Sequence, residues 1–299
     1  MELNDLRLFC DLVETSSFSQ TAERNFVSQS AVSQRLRALE RHYGQIFLER
    51  GKGKGRIAPT EAGRILYAGA KPLVHEAAEL DARLRGLSSE VAGTVRVATV
   101  YSVGLHALPG RLKPFLAAHP QVNVHLEYSQ TARVYQDVMS GAVDVGIVAV
   151  PTVRPGLEAL PFSNENMALI CAPEHPFANL DYISLRQLEG QPFIAFEDDI
   201  PTHGLIDDRL RAAGVKVKVV MAFDNIETLK NLVEIGTGVA LVPEDTVRQE
   251  VREGTLSRVP LAPEDAFRRP AGMLVKSSGT RRAVVRAFVQ AIGEKPEPA

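Results

Sequence analysis

The 299-residue sequence predicts three unlike parts: a small, mainly helical head with a two-stranded wing, one long linker helix, and an α/β body. Three observations predict them. Residues 16–43 hold two short amphipathic segments split by a tight polar break, as in a helix-turn-helix. Leucines and alanines between residues 66 and 87 repeat alternately at four and three residues, the period of a heptad seam. From Ala92 onward, short apolar runs alternate with amphipathic stretches, which implies parallel strands joined by right-handed crossovers.

In the head, Leu3 to Glu14 reads as a first helix with Leu6, Phe9, Cys10 and Val13 on one face. Ser17 caps a second helix near residues 18–25, with Gln20 placed to complete a capping box. Ala22 is small enough for close helix approach. Ser28 caps a third helix near 29–43, on which Val32, Leu36 and Leu39 form one buried stripe. Gln29, Ser30, Ser33, Gln34 and Arg37 then lie mainly on its outer face. Gln pairs bidentately with adenine, Arg with guanine, and Ser with either base or with phosphate. Residues 47–50 and 56–58 read as the two strands of a wing. Its tip, GKGKG, lets the backbone turn tightly and approach a phosphate. No Gly-Lys-Ser/Thr ends this run, so it is not a P-loop.

Charge points the same way. Between Arg24 and Arg56 stand eight basic residues (Arg24, Arg35, Arg37, Arg41, Arg50, Lys52, Lys54 and Arg56) against Glu40 and Glu49, in a chain of net charge −2. A local excess on a near-neutral protein marks one polyanion-binding face. Arg50, Lys52, Lys54 and Arg56 are the wing's candidates for phosphate contact. The competing reading is a solvated charged surface on a generic helical hairpin.

Thr60, after Pro59, caps the linker helix. Leu66, Ala70, Leu73, Ala77, Leu80, Leu84 and Leu87 form its seam. A helix of about 28 residues is about 42 Å long and cannot bury such a seam alone. Pro72 interrupts the pattern and should kink the helix. The seam serves either a second copy of the chain or the chain's own body; small Ala70 and Ala77 favour the second copy.

In the body, strands read at TVRVATV, NVHLEY and VDVGIVAV, with helices around 105–118 and 134–140. A second set has strands at MALICA, PFIAF, VKVVMAF and VALVP, with helices at about 204–213, 225–235 and 244–252. AGMLVK and a helix from about Thr280 to Ile292 close the body, and EKPEPA reads as a disordered tail.

The stretch from LNDLRLFCDLVETSSFSQTAERNFVSQSAVSQRLRALERHYGQIFLER through TEAG resembles the LysR-type transcriptional regulators. SFSQTAE, VSQSAVS, RALE and TEAG stand in that family's order and spacing, and the resemblance extends over essentially the whole chain. It implies a winged helix-turn-helix (residues 1–59), a dimerising linker helix (60–91) and a two-lobed effector domain like the periplasmic binding proteins (92–292), with a flexible tail (293–299). Lobe one would take 92–162 and 266–292, lobe two 166–262, with crossing strands near Pro161 and Pro263. The resemblance further implies binding of double-stranded promoter DNA, a homodimer through the linker helix, a homotetramer built as a dimer of dimers, and contact with RNA polymerase.

In open α/β sheets ligands lie beyond the carboxyl ends of strands. The loops there hold Val100 to Ser102, Tyr128 to Thr131, Ala149 and Val150, Phe196 to Thr202, and Asp224 with Asn225. They are rich in hydroxyls and amides, and several open helices whose free N–H groups favour an anion. The family holds its effectors at such loops, which carries over to Ser102, Ser129, Thr131, Thr202 and Asn225. Ser102, Thr202 and Asn225 are equally well read as helix caps, and Ser129 and Thr131 as turn residues. Arg133 fits an effector anion or a surface ion pair. Asp198 and Asp199 speak for an amine or for water. Gly236-Thr237-Gly238 is a helix terminator, not a dinucleotide loop.

Other functions are constrained. There is no GxSxG, HExxH or CxxC, and the seven histidines show no metal spacing. No cofactor or catalytic residue is expected, though His203 sits beside the predicted pocket. Cys10 and Cys171 read as buried filler. No run approaches a membrane span and the N-terminus lacks a signal-peptide layout, so a cytoplasmic location without membrane contact is expected. The alternative is a cytoplasmic small-molecule-binding protein or enzyme whose basic head does not read DNA.

Overall fold

The computed structural model describes residues 2–50, 57–85, 91–277 and 282–293. Helix α1 (Leu3–Thr15) ends at Ser16, and Ser17 caps α2 (Phe18–Arg24) by accepting the Gln20 N–H at 3.3 Å. The expected reciprocal half of the capping box is replaced. The Ser17 N–H goes instead to the Thr15 hydroxyl at 3.3 Å, because the preceding helix already delivers an acceptor there. Helix α3 (Gln29–Tyr43) has the predicted bounds. Ser28 accepts the Ala31 N–H at 3.2 Å, and Gly44 stops the helix at φ 62°. Val32, Leu36 and Leu39 pack on Leu8, Phe9, Leu12, Ala22 and Phe47.

Strands β1 (Leu48–Arg50) and β2 (Ile57–Pro59) pair antiparallel, β1 starting one residue later than expected. Lys52, Lys54, Arg56 and Leu87 lie outside the described residues, as do the side chains of Arg50 and Leu84. Helix α4 (Glu61–Arg85) runs on through Pro72. Thr60 starts it: its hydroxyl accepts the Gly63 N–H at 3.0 Å and donates to the Ile46 carbonyl at 2.7 Å. A Cβ on Gly63 would collide with the Phe47 carbonyl oxygen, so only glycine lets α4 leave the wing at this point.

The predicted seam divides. Leu66 and Ala70 turn inward onto Leu6 and Cys10 of α1, and Ala70 is 2% exposed. The first three turns of α4 therefore contribute to the head's own core. Among the described residues of α4, the exposed large apolar side chains are Ile65 (70%), Leu73 (51%) and Leu80 (59%), spaced by eight and seven. Ile65 and Leu73 line a groove together with Leu6, Tyr43, Phe47 and Ala62.

The body is a separate compact unit. Strand β3 (Gly93–Thr99) is flanked by parallel neighbours β4 (Val122–Tyr128) and β5 (Val145–Ala149). Helices α5 (Tyr101–His106), α6 (Pro109–Ala118) and α7 (Thr131–Ser140) connect them. One helix was expected over 105–118; Pro109 divides it, since proline cannot donate within a helix. Strand β6 is much longer than the predicted MALICA: it runs from Leu157 to Cys171. Its first part pairs with β11 (Arg268–Lys276), which also borders β5. Its last part pairs with β9 (Ala240–Pro243) and β10 (Ser257–Pro260). It therefore belongs to two cores. One gathers Val97, Ile147, Phe162, Met273 and Phe288 of the closing helix α11 (Ala283–Ile292). The other gathers Leu169, Phe193, Leu229 and Leu241. A bulge opposite Ala271 and Gly272 turns Phe162 into the first core. The second crossing runs through Arg268–Ala271, beyond the loop that holds Pro263. β7 (Pro192–Phe196) and β8 (Lys218–Phe223) form a parallel pair, with α8 (Pro201–Ala212) and α9 (Ile226–Glu234) following them. The stretch expected as one helix over 244–252 begins as a 3-10 turn, Glu244–Val247, and continues as α10 (Arg248–Glu253).

Candidate DNA-reading face and effector cavity

On α3, Gln29, Ser30, Gln34 and Arg37 are exposed and Ser33 is half-buried, so all five reach the surface opposite the Val32–Leu36–Leu39 stripe. Two members of the basic cluster are engaged elsewhere. Arg24 pairs with Asp11 at 3.2 Å and Glu14 at 3.4 Å, and Arg35 lies 3.7 Å from Asp5. Their charge is offset by α1, whereas Arg37 and Arg41 have no acid partner among the described residues.

In the body, a small cavity opens at the carboxyl ends of β3, β4, β5, β7 and β8. Ser102, Ser129, Thr131 and Thr202 all line it, together with Tyr101, Phe196 and Arg269. Asn225 does not line it: its Oδ1 accepts the Glu227 N–H at 2.8 Å and caps α9. Arg133 pairs with Asp137 at 3.0 Å within α7. Asp198 is fully out in solvent and lies 3.4 Å from His203, so neither Asp198 nor Asp199 faces the cavity.

Sequence reasoning missed the cavity's organiser. Arg269, on the second crossing strand, is 1% exposed. Its Nη1 donates to the Ser102 hydroxyl at 3.1 Å and to the Thr202 hydroxyl at 3.4 Å. Its Nε and Nη2 both donate to one oxygen of Glu165 on β6, at 2.9 and 2.6 Å. One guanidinium thus joins a helix of each core to both crossing strands. A hydroxyl that accepts from arginine keeps its own proton free to donate elsewhere. Ser102 and Thr202 can therefore both offer O–H donors to a third group.

A second polar link spans the two cores. His106 of α5 meets Glu227 of α9 at 2.7 Å, and Glu227 also meets buried Lys230 at 2.9 Å. Lys230 reaches Glu250 at 2.6 Å and the Thr246 carbonyl at 2.9 Å. Burial alone would raise the Glu227 carboxyl; hydrogen bonds and charge from His106 and Lys230 outweigh it and hold the group below its ordinary range. Burial pushes the Cys171 thiol up to about 11, so it stays protonated at neutral pH. Among the described residues, no group of three or more His, Cys, Asp or Glu could hold a metal, and no helix is long and apolar enough to cross a membrane.

The chain matches two family models. Residues 3–64 match the bacterial regulatory helix-turn-helix protein of the lysR family, and residues 88–297 the LysR substrate binding domain. It is 28% identical over 296 residues to a probable RuBisCO transcriptional regulator of Nostoc sp., covering 97% of this chain and 87% of that protein. It is 28% identical over 258 residues to YeiE, an uncharacterized HTH-type transcriptional regulator of Escherichia coli, covering 86% and 85%. Its fold is similar to that of CbnR, a LysR family transcriptional regulator (TM-score 0.77, 19% identity, 98% of each chain). It is also similar in fold to full-length OxyR from Pseudomonas aeruginosa (TM-score 0.71, 20% identity, 98% and 94%). The helix-turn-helix head, the paired α/β cores and these matches, which together span nearly the whole chain, place it in one family: the protein is a LysR-type transcriptional regulator, with a DNA-binding head and an effector-binding body.

Proposed function

We propose that the effector is a small molecule carrying an acceptor-rich anionic group, a carboxylate or oxyanion, held at Ser102, Thr202 and Arg269, with Ser129 and Thr131 at the rim. The observation that carries this is the single Arg269 nitrogen shared by the Ser102 and Thr202 hydroxyls. Glu165 offsets the arginine's charge, so selectivity rests on directed donors more than on net charge. Ser102 and Thr202 are bonded to a guanidinium and not to a base that could take their protons, which supports binding without turnover. The wild-type protein and the Ser102→Ala and Thr202→Ala variants are screened by thermal shift against small carboxylates and oxyanions. Stabilisation of wild type that each variant loses about tenfold in affinity supports the site, and stabilisation unchanged in both overturns it.

In the head, Gln29, Ser30, Ser33, Gln34 and Arg37 would read bases, and Arg50, Lys52, Lys54 and Arg56 would hold phosphates of promoter DNA in the cytoplasm. Two copies would pair through the exposed Ile65, Leu73 and Leu80, and pairs would associate into tetramers. Support for the pairing is the apolar stripe itself, which nothing described in the head covers. The domain limits of this reading are a head over 1–59, a linker over 60–91 and a body over 92–292.

A further inference from the structure

Phe26 is a residue that folding does not explain. It follows Asn25, which closes α2, and its backbone is left-handed at φ 54°. The Val27 N–H bonds the Ala22 carbonyl at 3.0 Å, and the Phe26 N–H bonds the Glu23 carbonyl at 3.2 Å. Those two bonds define a Schellman turn, whose left-handed position ordinarily takes glycine or asparagine because a Cβ is disfavoured there. Here a phenylalanine occupies it and is 96% exposed. Its neighbours are tied down on both sides. The Asn25 side chain donates to Asp11 at 2.8 Å and to the Thr21 carbonyl at 3.0 Å, while Val27 packs on the head's core. The ring is held outward.

The position matters because Ser28, the cap of α3, comes two residues later. From residue 26 to residue 37 the exposed side chains are Phe26, Ser28, Gln29, Ser30, Gln34, Arg35 and Arg37. Phe26 is the apolar member of that set. Hydroxyls, amides and guanidinium groups read donors and acceptors on base edges, whereas the C5 methyl of thymine is read by an apolar contact. When a helix-turn-helix docks, its first helix crosses the backbone and the N-terminus of the second enters the major groove, so the turn between them lies at the groove's edge. We infer that Phe26 is a specificity-determining residue whose ring contacts the C5 methyl of a thymine at the edge of each half-site. This rests on α3 being the helix that enters the groove.

The test uses the full-length protein and a duplex that wild type selects from a randomised pool. Each thymine is replaced in turn by deoxyuridine, which removes only the methyl. Wild type is expected to lose about fivefold in affinity at one thymine per half-site. Phe26→Ala and Phe26→Asn are expected to bind the selected duplex about tenfold more weakly, with the salt slope unchanged and with no response to that methyl. Phe26→Asn should also melt a few degrees higher, because asparagine accepts the left-handed backbone, which separates lost contact from lost fold. Variants that keep the wild-type response to the methyl overturn the inference. So do variants that bind as tightly as wild type while polymerase-dependent transcription falls, an outcome that assigns the ring to a protein partner. Failure of wild type to select any duplex overturns the DNA-reading assignment of α3 itself, whereas a selected duplex with no methyl-sensitive thymine overturns this inference alone.

Discussion

Arg269 directs two converging hydrogen bonds at a single oxygen of Glu165, across 104 residues of sequence and with both side chains buried. A buried pair of this kind adds little over an apolar pair of the same size, but it is costly to break. Arg269→Ala leaves the Glu165 carboxylate in the interior without its partner and should destabilise the body by about 3–5 kcal/mol. Replacing both partners, Arg269→Met with Glu165→Leu, should recover most of that loss. Urea unfolding followed by circular dichroism measures it; an unchanged midpoint for Arg269→Ala would mean the pair carries no strain on removal.

The linker stripe predicts assembly. Leu80 is exposed on a helix with no described cover, and a charge buried there unpaired costs about 3–5 kcal/mol. Leu80→Asp should therefore sediment as a monomer under conditions where wild type is a dimer, with the head still folded. An intact Leu80→Asp dimer would move the interface off the stripe.

Gly63 predicts a local weakness in the head. Any side chain there meets the Phe47 backbone oxygen, which the wing cannot move away because Thr60 also bonds it through its N–H at 3.0 Å. Gly63→Ala should cost about 1–3 kcal/mol of head stability, as overpacking against backbone does. A melting temperature equal to wild type would show that the wing yields freely.

Acid should loosen the link between His106 and Glu227. The Glu227 carboxyl is held below its ordinary value in the folded protein, so its contribution is present above the unfolded pKa and is lost as pH falls through the folded one. The stability difference between wild type and Glu227→Gln should therefore be present at pH 7 and shrink steadily below about pH 4. Urea midpoints at pH 7 and pH 3.5 decide it; a difference that grows in acid would reverse the sign of the argument.

Local signals made much of the architecture legible. Ser28, Gly44 and the Val32–Leu36–Leu39 stripe fix α3 from within seventeen residues, and its bounds were readable without error. Strand ends pointed locally to the loops around the cavity, and the family resemblance singled out Ser102, Ser129, Thr131, Thr202 and Asn225 there; the first four line the cavity, while Asn225 caps α9. Arg269 was not, since one of two adjacent arginines before Pro270 looks like surface charge until β6 and β11 bring Glu165 beside it. The first half of β6 was also invisible. Between Leu157 and Asn166 exposed and buried residues do not alternate, because this stretch passes from one core to the other past a bulge. The seam misled for a related reason: Leu66 and Ala70 keep the heptad period while facing α1.

The cavity around Arg269 has a free volume of about 50 Å³. That is about a third of the roughly 150 Å³ of an engineered cavity that holds one benzene. Any effector of more than a few atoms must wait for the Ser102 and Thr202 sides to part. Its observed binding rate should then level off at high concentration, limited by the frequency of that opening and not by diffusion. A regulator built this way has a response time set by its own breathing, so a brief pulse of effector shorter than that interval would leave transcription unchanged.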